Sequence, residues 1–278
     1  MMSAFLAELV KAVKRPAMWV LVATWLALML LFSYALPYAG YLTDDGGPAT
    51  AQAALREALP DQLVVNALSG TPVFGGAIVL IMGALMVGSE YGWGTLKTLL
   101  TQRPARLTVL GAKLAAVVAA ALGVVLLTFV VGAVVGAVIG AIESQPASWP
   151  GIVDIVEGVA SGWLITSMWA LFGAALAFVF RSIALPIGLG VVWVLGIENL
   201  VSSMADNLLT ALRPLRDVLP GVNAGSLVSE LTSGAQVGAP SPGVIAAVGG
   251  GRALLTLALY VVAFVAASAL VLRRRDVS

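Results

Sequence analysis

Long apolar runs, separated by short polar segments, dominate the pattern of the chain. A helix needs about 20 apolar residues to cross about 30 Å of hydrocarbon, and residues 17–36 form the first run of that kind. Exposed strands and loops cannot lie in lipid, because their backbone groups would lack hydrogen bonds. The pattern therefore predicts an all-α integral membrane protein, a single transmembrane domain over residues 1–278. Its six transmembrane helices are expected at about residues 17–36, 71–88, 114–142, 158–180, 183–205 and 253–272.

An amphipathic segment precedes the first run. Residues 3–14 place five apolar side chains on one helical face (Phe5, Leu6, Leu9, Val10, Val13) and Glu8, Lys11 and Lys14 on the other. Such a basic helix is typical of the membrane interface, and Pro16 separates it from the first span. The following apolar run of about 20 residues exceeds the about 7–15 residues of the apolar h-region of a signal peptide. We expect an interfacial helix at 3–14 followed by an uncleaved span.

The composition agrees with a lipid-embedded chain: 60% of the residues are hydrophobic, 10% are charged, and the mean hydropathy is +1.02. Soluble domains carry about 25% charged residues. The chain has no cysteine and no histidine, which excludes disulfides, thiol catalysis and histidine-based metal or nucleophile sites. The net charge of +1 argues against a nucleic-acid partner. No metal site is predicted.

The charges are strongly segregated between the two ends of the predicted spans. Eleven of the 15 basic residues lie on the side of the N-terminus, residues 89–113, Arg181 and the C-terminus, and four lie on the other side. Lysine and arginine bias decides orientation in a membrane. Both termini are therefore predicted to be cytoplasmic. The Arg, Ala, Val and Gly usage favours a bacterial plasma membrane.

Two segments on the extracellular side are long enough to hold short helices. Residues 49–59 form one candidate, stopped by Pro60. Residues 207–212 and 223–232 form two more before the last span, followed by a flexible stretch at 236–243. We expect short extracellular or re-entrant helices before the sixth span. They could gate a pathway or simply pack over the bundle.

The cytoplasmic segment after the second span carries the most ordered pattern. Gly92 and Gly94 are expected to break the span, Thr95 can cap a short helix over residues 96–102, and Pro104 ends it. Three leucines share one face of this helix (Leu96, Leu99, Leu100). A helix lying across the cytoplasmic face and tied to two spans can act as a lever.

The order Glu-Tyr-x-x-Gly-Thr-Leu-Lys-x-Leu-Leu, from Glu90 to Leu100, is followed by Arg106 and Lys113. This pattern resembles the segment after the second span in ABC-2 type permeases, the membrane subunits of one class of ABC exporter. The interfacial helix, the six-span plan and the extended external region resemble that family as well. The resemblance covers the whole chain but is close at residue level only over 89–113.

The resemblance implies a coupling helix that docks on a separate ABC-type ATPase subunit. The ATPase-coupling residues would be Glu90, Tyr91, Gly94, Thr95, Leu96, Lys97, Leu99, Leu100, Arg103 and Arg106. Glu90 can pair with basic residues of its own chain or with the ATPase, and the leucines supply apolar anchors. The chain has no Gly-x-x-x-x-Gly-Lys-Ser/Thr loop, so ATP and Mg would be bound by the partner. Six spans per copy imply two permeases, a homodimer, with two ATPases.

Two further features keep alternatives open. Gly132, Gly136 and Gly140 recur at the spacing that lets membrane helices approach closely, which fits a dimer contact, helix packing or chance. Glu198 is the single charge within a span. It is either part of a substrate path, as in a secondary transporter or channel, or a span end at the headgroups.

The predicted spans hold no clustered carboxylates, so an intramembrane enzyme is not predicted. Their surfaces consist of Leu, Val, Ala, aromatics and a few hydroxyls. Such a lining favours a hydrophobic or amphipathic cargo, such as a lipid, a drug-like molecule or a peptide, over a small ion. The direction, export, rests on the family resemblance alone.

Overall fold

The computed structural model describes residues 2–43, 46–92, 106–233 and 241–274, and all regular secondary structure in those ranges is helical. Six of these helices are long and apolar enough to cross a membrane. They are Pro16–Thr43, Thr71–Tyr91, Leu107–Ile142, Ile152–Phe180, Ala184–Asn207 and Gly250–Arg274. The six predicted spans are thus confirmed as helices. The third extends well beyond the predicted start at 114, because Lys113 lies buried inside it rather than ending it.

The N-terminal helix, Met2–Lys14, confirms the helix expected at 3–14. It ends where Arg15 adopts an extended backbone and Pro16 starts the first span. Proline fits the first helical position because its missing N–H would have no intrahelical partner there. The interfacial position of this helix stays a prediction.

Three spans contain a widened π-helical segment: Leu31–Ala35, Thr71–Gly75 and Val192–Ile197. In the first span the widened segment ends two residues before Pro37. Proline lacks an N–H, and its ring collides with the carbonyl four residues earlier. A π-bulge relieves that conflict locally and lets the helix continue through Leu36–Thr43.

The second and fourth spans cross at the centre of the bundle, and glycines make the crossing possible. A Cβ atom on Gly83 would lie 1.9 Å from the carbonyl oxygen of Ala170, and one on Gly173 would lie 2.1 Å from that of Leu80. Small residues of this kind let membrane helices approach backbone to backbone. These two spans are the most buried of the six, whereas the first, fifth and sixth are largely exposed.

The ends of the spans define two faces. At one end, Gly88 packs against the turn at Ser182 and Ile183, and the N-terminal helix contacts the start of the third span. We call this the N-terminal face. At the other end, Gly250 packs against Glu230, and we call this the opposite face.

Two segments at the opposite face match the predicted outer helices. The helix expected at 49–59 is Pro48–Glu57, and the helix expected at 223–232 is Pro220–Thr232, which starts earlier because Pro220 provides its first turn. A buried helix, Leu63–Leu68, adds a segment that was not predicted. Of the stretch at 236–243, residues 236–240 lie outside the described part of the chain.

The prediction of a helix at residues 207–212 is wrong. The fifth span ends at Asn207, and Leu208 and Leu209 leave the helical conformation. A 3-10 turn, Thr210–Leu212, and a one-turn α-helix, Arg213–Arg216, follow. The side-chain amide of Asn207 donates to the carbonyl of Ser203 in the preceding turn. Asn207 therefore belongs to the end of one helix rather than to the start of the next.

We expect Gly83→Ala and Gly173→Ala to destabilise the protein, each by about 1–3 kcal/mol or more, because the added methyl group collides with a backbone carbonyl that cannot rotate away. Thermal unfolding of the purified chain in detergent measures the loss. Gly188→Ala in the fifth span is the matched control, since a Cβ there meets nothing within 4 Å. Equal midpoints for all three variants would contradict the glycine-dependent crossing.

Candidate functional site

Four charged side chains form a closed set of ion pairs at the N-terminal face. The Lys11 ammonium lies 2.7 Å from Glu8 Oε1 and 2.9 Å from Glu90 Oε1. The Lys113 ammonium lies 2.6 Å from Glu8 Oε2 and 2.8 Å from Glu90 Oε1. Each cation therefore contacts both carboxylates. We call Glu8, Lys11, Glu90 and Lys113 the charge ring.

The ring joins three helices. Glu8 and Lys11 lie one turn apart on the N-terminal helix, Glu90 lies in the last turn of the helix Gly76–Gly92, and Lys113 lies near the start of the helix Arg106–Ile142. The last two helices flank residues 93–105, which lie outside the described residues. The points where the chain leaves the second span and enters the third are therefore both anchored to the N-terminal helix.

The ring is buried and carries no net charge. Lys113 and Glu90 are 1% exposed and Glu8 is 8% exposed, whereas the side chain of Lys11 reaches the surface. Removing an ion from water costs several kcal/mol, and only close counter-ions offset that cost. Two ammonium groups facing two carboxylates supply that balance. The four side chains are consequently stable in this place only together.

The pKa values of the two ring members on the N-terminal helix follow this arrangement. Burial by itself raises the pKa of Glu8, but the neighbouring Lys113 and Lys11 outweigh it and hold the pKa below the ordinary 4.5. Burial lowers the pKa of Lys11, but its hydrogen bonds to Glu8 and Glu90 outweigh that and raise it above the ordinary 10.5. Both groups are charged over the whole neutral range.

Further contacts fix the end of the second span beside the ring. The guanidinium of Arg15 donates to the carbonyl of Leu85 at 3.1 Å, and the Ser89 hydroxyl donates to the same oxygen at 2.7 Å. The aromatic side chain of Tyr91 packs edge-on against that of Phe178 in the fourth span, with 6.4 Å between the centroids of the two aromatic rings. The last turn before residue 93 is thus held by three helices.

The structure brings together only some of the predicted coupling residues. Glu90 is buried and pairs with lysines of its own chain, which is one of the two alternatives considered for it. Tyr91 packs within the bundle, and Arg106 starts the helix of the third span. The remaining positions, Gly94, Thr95, Leu96, Lys97, Leu99, Leu100 and Arg103, lie outside the described residues. Their contact with an ATPase stays a prediction.

The sequence analysis missed that Glu8 and Lys11 belong to the same site, because it treated them as the solvated face of an amphipathic helix. A signal was present. In the sequence, the segments predicted to be cytoplasmic contain eleven basic residues and three acidic ones, Glu8, Glu90 and Asp276. Acidic residues that are scarce among so many cations are strong candidates for buried ion pairs, and two of the three occupy the ring.

The glycine stripe of the third span packs inside the chain. A Cβ on Gly132 would lie 2.9 Å from the hydroxyl of Tyr34, and one on Gly136 would lie 3.4 Å from the backbone of Pro60. Gly140 faces Pro60 as well. Of the alternatives for this stripe, helix packing within one copy is the one that the geometry shows.

Glu198 is buried at 5% exposure and forms two hydrogen bonds. One carboxylate oxygen accepts from the indole N–H of Trp193 at 2.6 Å, and the other accepts from the backbone N–H of Gly221 at 2.7 Å. Gly221 lies in the first turn of Pro220–Thr232, where helix N–H groups are unpaired. Glu198 therefore fastens the fifth span to an outer helix, and its position relative to the headgroups stays a prediction. Its place on a substrate path stays a prediction.

We expect Lys113→Met to destabilise the chain by about 3–5 kcal/mol, because two buried carboxylates would then face Lys11 alone. Thermal unfolding in detergent measures this. Lys14→Met is the control, since Lys14 is an exposed lysine at the end of the N-terminal helix and does not belong to the charge ring. The double variant Lys113→Met, Glu90→Met restores the charge balance and should recover much of the loss. An unchanged midpoint for Lys113→Met would rule out the ring as a structural constraint.

The ring also predicts how attachment of the N-terminal helix depends on pH. The lowered pKa of Glu8 stabilises the folded state fully above pH 4.5, and this contribution is lost as the pH falls through the lowered value. The raised pKa of Lys11 stabilises it fully below pH 10.5, and this is lost as the pH rises further. The hydrogen-exchange protection factors of residues 2–14, which correct for the intrinsic exchange rate at each pH, should therefore be highest between those limits. Glu8→Gln should shrink the acid limb, since Glu8 no longer titrates, and an acid limb of unchanged size in this variant would refute the assignment.

One known protein family matches most of the chain. Residues 4–196 match the family described as ABC-2 family transporter protein. Comparison with curated proteins gives no match. The family match covers more than half of the 278 residues and includes the charge ring, the first four spans and most of the fifth. The chain is thus a transmembrane permease that belongs to the ABC-2 family of ABC transporters.

Proposed function

We propose that the chain is the permease subunit of an ABC exporter that a separate ATPase subunit drives through residues 93–105. The observation that carries the proposal is the charge ring. It fixes both flanks of this segment and the N-terminal helix into one unit. A partner that displaces the segment therefore moves two spans and the N-terminal helix together.

The path of such a movement can be followed through the packing. The second span runs from the charge ring to the glycine crossing with the fourth span. At this crossing, Gly83 lies against the backbone of Ala170, and Gly173 lies against the backbone of Leu80. Close-packed interiors transmit strain because they have little free volume. Displacement of the ring is therefore passed to the centre of the bundle rather than absorbed near the surface.

Energy would come from the partner. ATP and Mg are proposed to bind to an ABC-type ATPase subunit, because this sequence lacks a phosphate-binding loop. Two ATPase copies and a second permease copy complete the proposed assembly. The first, fifth and sixth spans expose apolar surface in the single chain, and a second copy could pack against part of this surface.

The N-terminal face is proposed to be cytoplasmic. It collects eleven of the 15 basic residues, counting those outside the described ranges, as the positive-inside rule requires. Both termini would then lie in the cytoplasm of a bacterial cell. The ATPase would meet the permease at residues 93–105 on that side.

A hydrophobic or amphipathic cargo suits the cavities of the opposite half. A cavity of about 180 Å³ lies between the first span, the start of the second and the segment at Ser241. Trp25, Phe32 and Phe74 line it, and Ser33 and Ser69 add hydroxyls. Mostly apolar walls with a few polar groups are typical of sites for amphipathic molecules. This lining supports a lipid, a drug-like molecule or a peptide as the cargo.

The double variant Leu96→Asp, Leu100→Asp tests the proposal. We expect it to abolish co-purification with a co-expressed ABC-type ATPase subunit and to remove ATPase stimulation, since each apolar anchor is worth about 2 kcal/mol or more, over tenfold in affinity. Membrane insertion should be retained. Leu208→Asp, Leu215→Asp is the matched control, because both leucines are exposed at the opposite face.

Two outcomes would overturn the proposal. If the Leu96→Asp, Leu100→Asp variant still bound the ATPase and stimulated ATP hydrolysis normally, the predicted role of this helix in docking would be wrong. Transport by the chain alone in vesicles, driven by an ion gradient and lost in Glu198→Gln, would make it a secondary transporter.

A further inference from the structure

One wall of the cavity of about 180 Å³ does not belong to a membrane-spanning helix. The first span and the residues around the start of the second span supply most of its lining. The other lining residues are Ser241 and Pro242, which begin a segment without helical structure that leads to the sixth span at Gly250. We call residues 241–249 the strap. The strap is the part of the cavity wall that can move without displacing a span.

One buried hydroxyl holds the strap to the outer helix Pro220–Thr232. Ser226 is 1% exposed, and its Oγ accepts hydrogen bonds from the backbone N–H groups of Ala247 at 3.2 Å and Val248 at 3.3 Å. The same hydroxyl lies 3.0 Å from the carbonyl oxygen of Ile245, to which it can donate. Three backbone groups of the strap therefore depend on a single side chain.

The strap has few stabilising contacts of its own. Its nine residues are half-buried or exposed. Within the described residues, one backbone hydrogen bond joins two of them, from the N–H of Val244 to the carbonyl of Ser241 at 3.1 Å. Segments with little burial and few internal hydrogen bonds open locally at a small cost in free energy. Loss of the Ser226 contacts should therefore be enough to release the strap.

Glycines lie on both sides of the part that Ser226 holds. Gly243 has a backbone φ of +81°, which residues with a side chain rarely adopt. Gly249 and Gly251 lie at the other end, and a Cβ atom on either would meet nothing within 4 Å. Small residues at the ends of a mobile segment can absorb the change in backbone angles that its movement requires. The strap therefore has a hinge at each end.

In its observed position the strap lies tightly over the start of the second span. A Cβ atom on Gly243 would collide with the side chain of Val73, and one on Gly225 would collide with the carbonyl of Gly243. This packing places Pro242 against the cavity, which Phe74 lines from the same turn as Val73. The observed position is thus the closed one.

We propose that the strap is a lid on this cavity, held closed by Ser226, and that its opening lets the cargo pass between the cavity and the opposite face. The inference rests on the proposed function and deepens it, since it assigns control of the cavity to one segment. Opening breaks the hydrogen bonds to the Ser226 hydroxyl and turns the backbone at Gly243 and Gly249. The strap then leaves the outer helix while the spans keep their packing.

The test measures how fast a small thiol reagent, N-ethylmaleimide, enters the cavity of the purified full chain in detergent. The chain has no cysteine, so Met29→Cys supplies one reporter thiol at a cavity residue that is 4% exposed. The labelling rate then follows the population of the open lid. Ser226→Ala in this background should raise the rate about tenfold, because the strap loses its hydrogen bonds to the outer helix.

Ser229→Ala is the matched control for Ser226→Ala. It removes a hydroxyl from the next turn of the same helix, and that hydroxyl has no hydrogen-bond partner within the part of the chain that the structure describes. The labelling rate of the reporter should stay at the level of the Met29→Cys parent.

A disulfide provides the converse test. In Val73→Cys, Gly243→Cys the two Cβ atoms would lie 3.6 Å apart, within the range of about 3.5–4.5 Å that disulfides span. Oxidation should hold the strap closed and lower the labelling rate of the reporter about tenfold. Reduction with dithiothreitol, removed before labelling, should restore the rate and controls for the strain of a side chain at Gly243. Peptide mapping by mass spectrometry separates the reporter thiol from the other two.

Two results would overturn the lid: equal labelling rates in the oxidised and reduced forms of the disulfide variant, or equal increases in Ser226→Ala and Ser229→Ala. Neither measurement needs an ATPase or transport. A failure of the lid is therefore distinguishable from a failure of the proposed function, because transport by the chain alone would refute the ATP-driven permease and leave the labelling results unchanged.

Discussion

The burial of Glu8, Glu90 and Lys113, paired with the partly exposed Lys11, is the constraint on which the N-terminal face of this molecule depends. A single buried ion would cost several kcal/mol, and the four are tolerated because each cation contacts both anions. The N-terminal helix, the end of the second span and the start of the third must therefore meet in one geometry. The two described ends that flank residues 93–105 are both fixed by that geometry.

Packing between the helices links the charge ring to the opposite face of the bundle. The second span runs from the ring to the glycine crossing with the fourth span, and the fourth lies against the third and the sixth. At the opposite face, Glu198 joins the fifth span to the outer helix Pro220–Thr232 through the N–H of Gly221. Polar groups at each face and backbone contacts in the middle thus connect the two surfaces of the membrane domain.

The N-terminal helix has two roles at once because two of its faces are used. Its charged residues enter the ring, and its apolar residues line a groove against the first and third spans.

The ATPase-coupling segment and the groove also differ in what defines them. The segment was singled out by an ordered run of residues from Glu90 to Leu100. The groove has no sequence pattern at all, since Leu9, Trp19 and Gly123 come from three separate elements. Features of the second kind can be found only after the helices have been packed.

The sequence by itself determined the helical class, the six spans and the helix at the N-terminus, because hydropathy and helical periodicity are properties of neighbouring residues. It also placed two of the three outer helices, but not the end of the fifth span at Asn207, where side chain and backbone compete locally. Only the tertiary structure decided the pairing of Glu90 with Lys11, the partner of Glu198, and which glycines touch protein and which face open space. Glu90 and Lys11 are 79 residues apart, and no local rule links them; the cost of burying their charges does, once packing has brought them together.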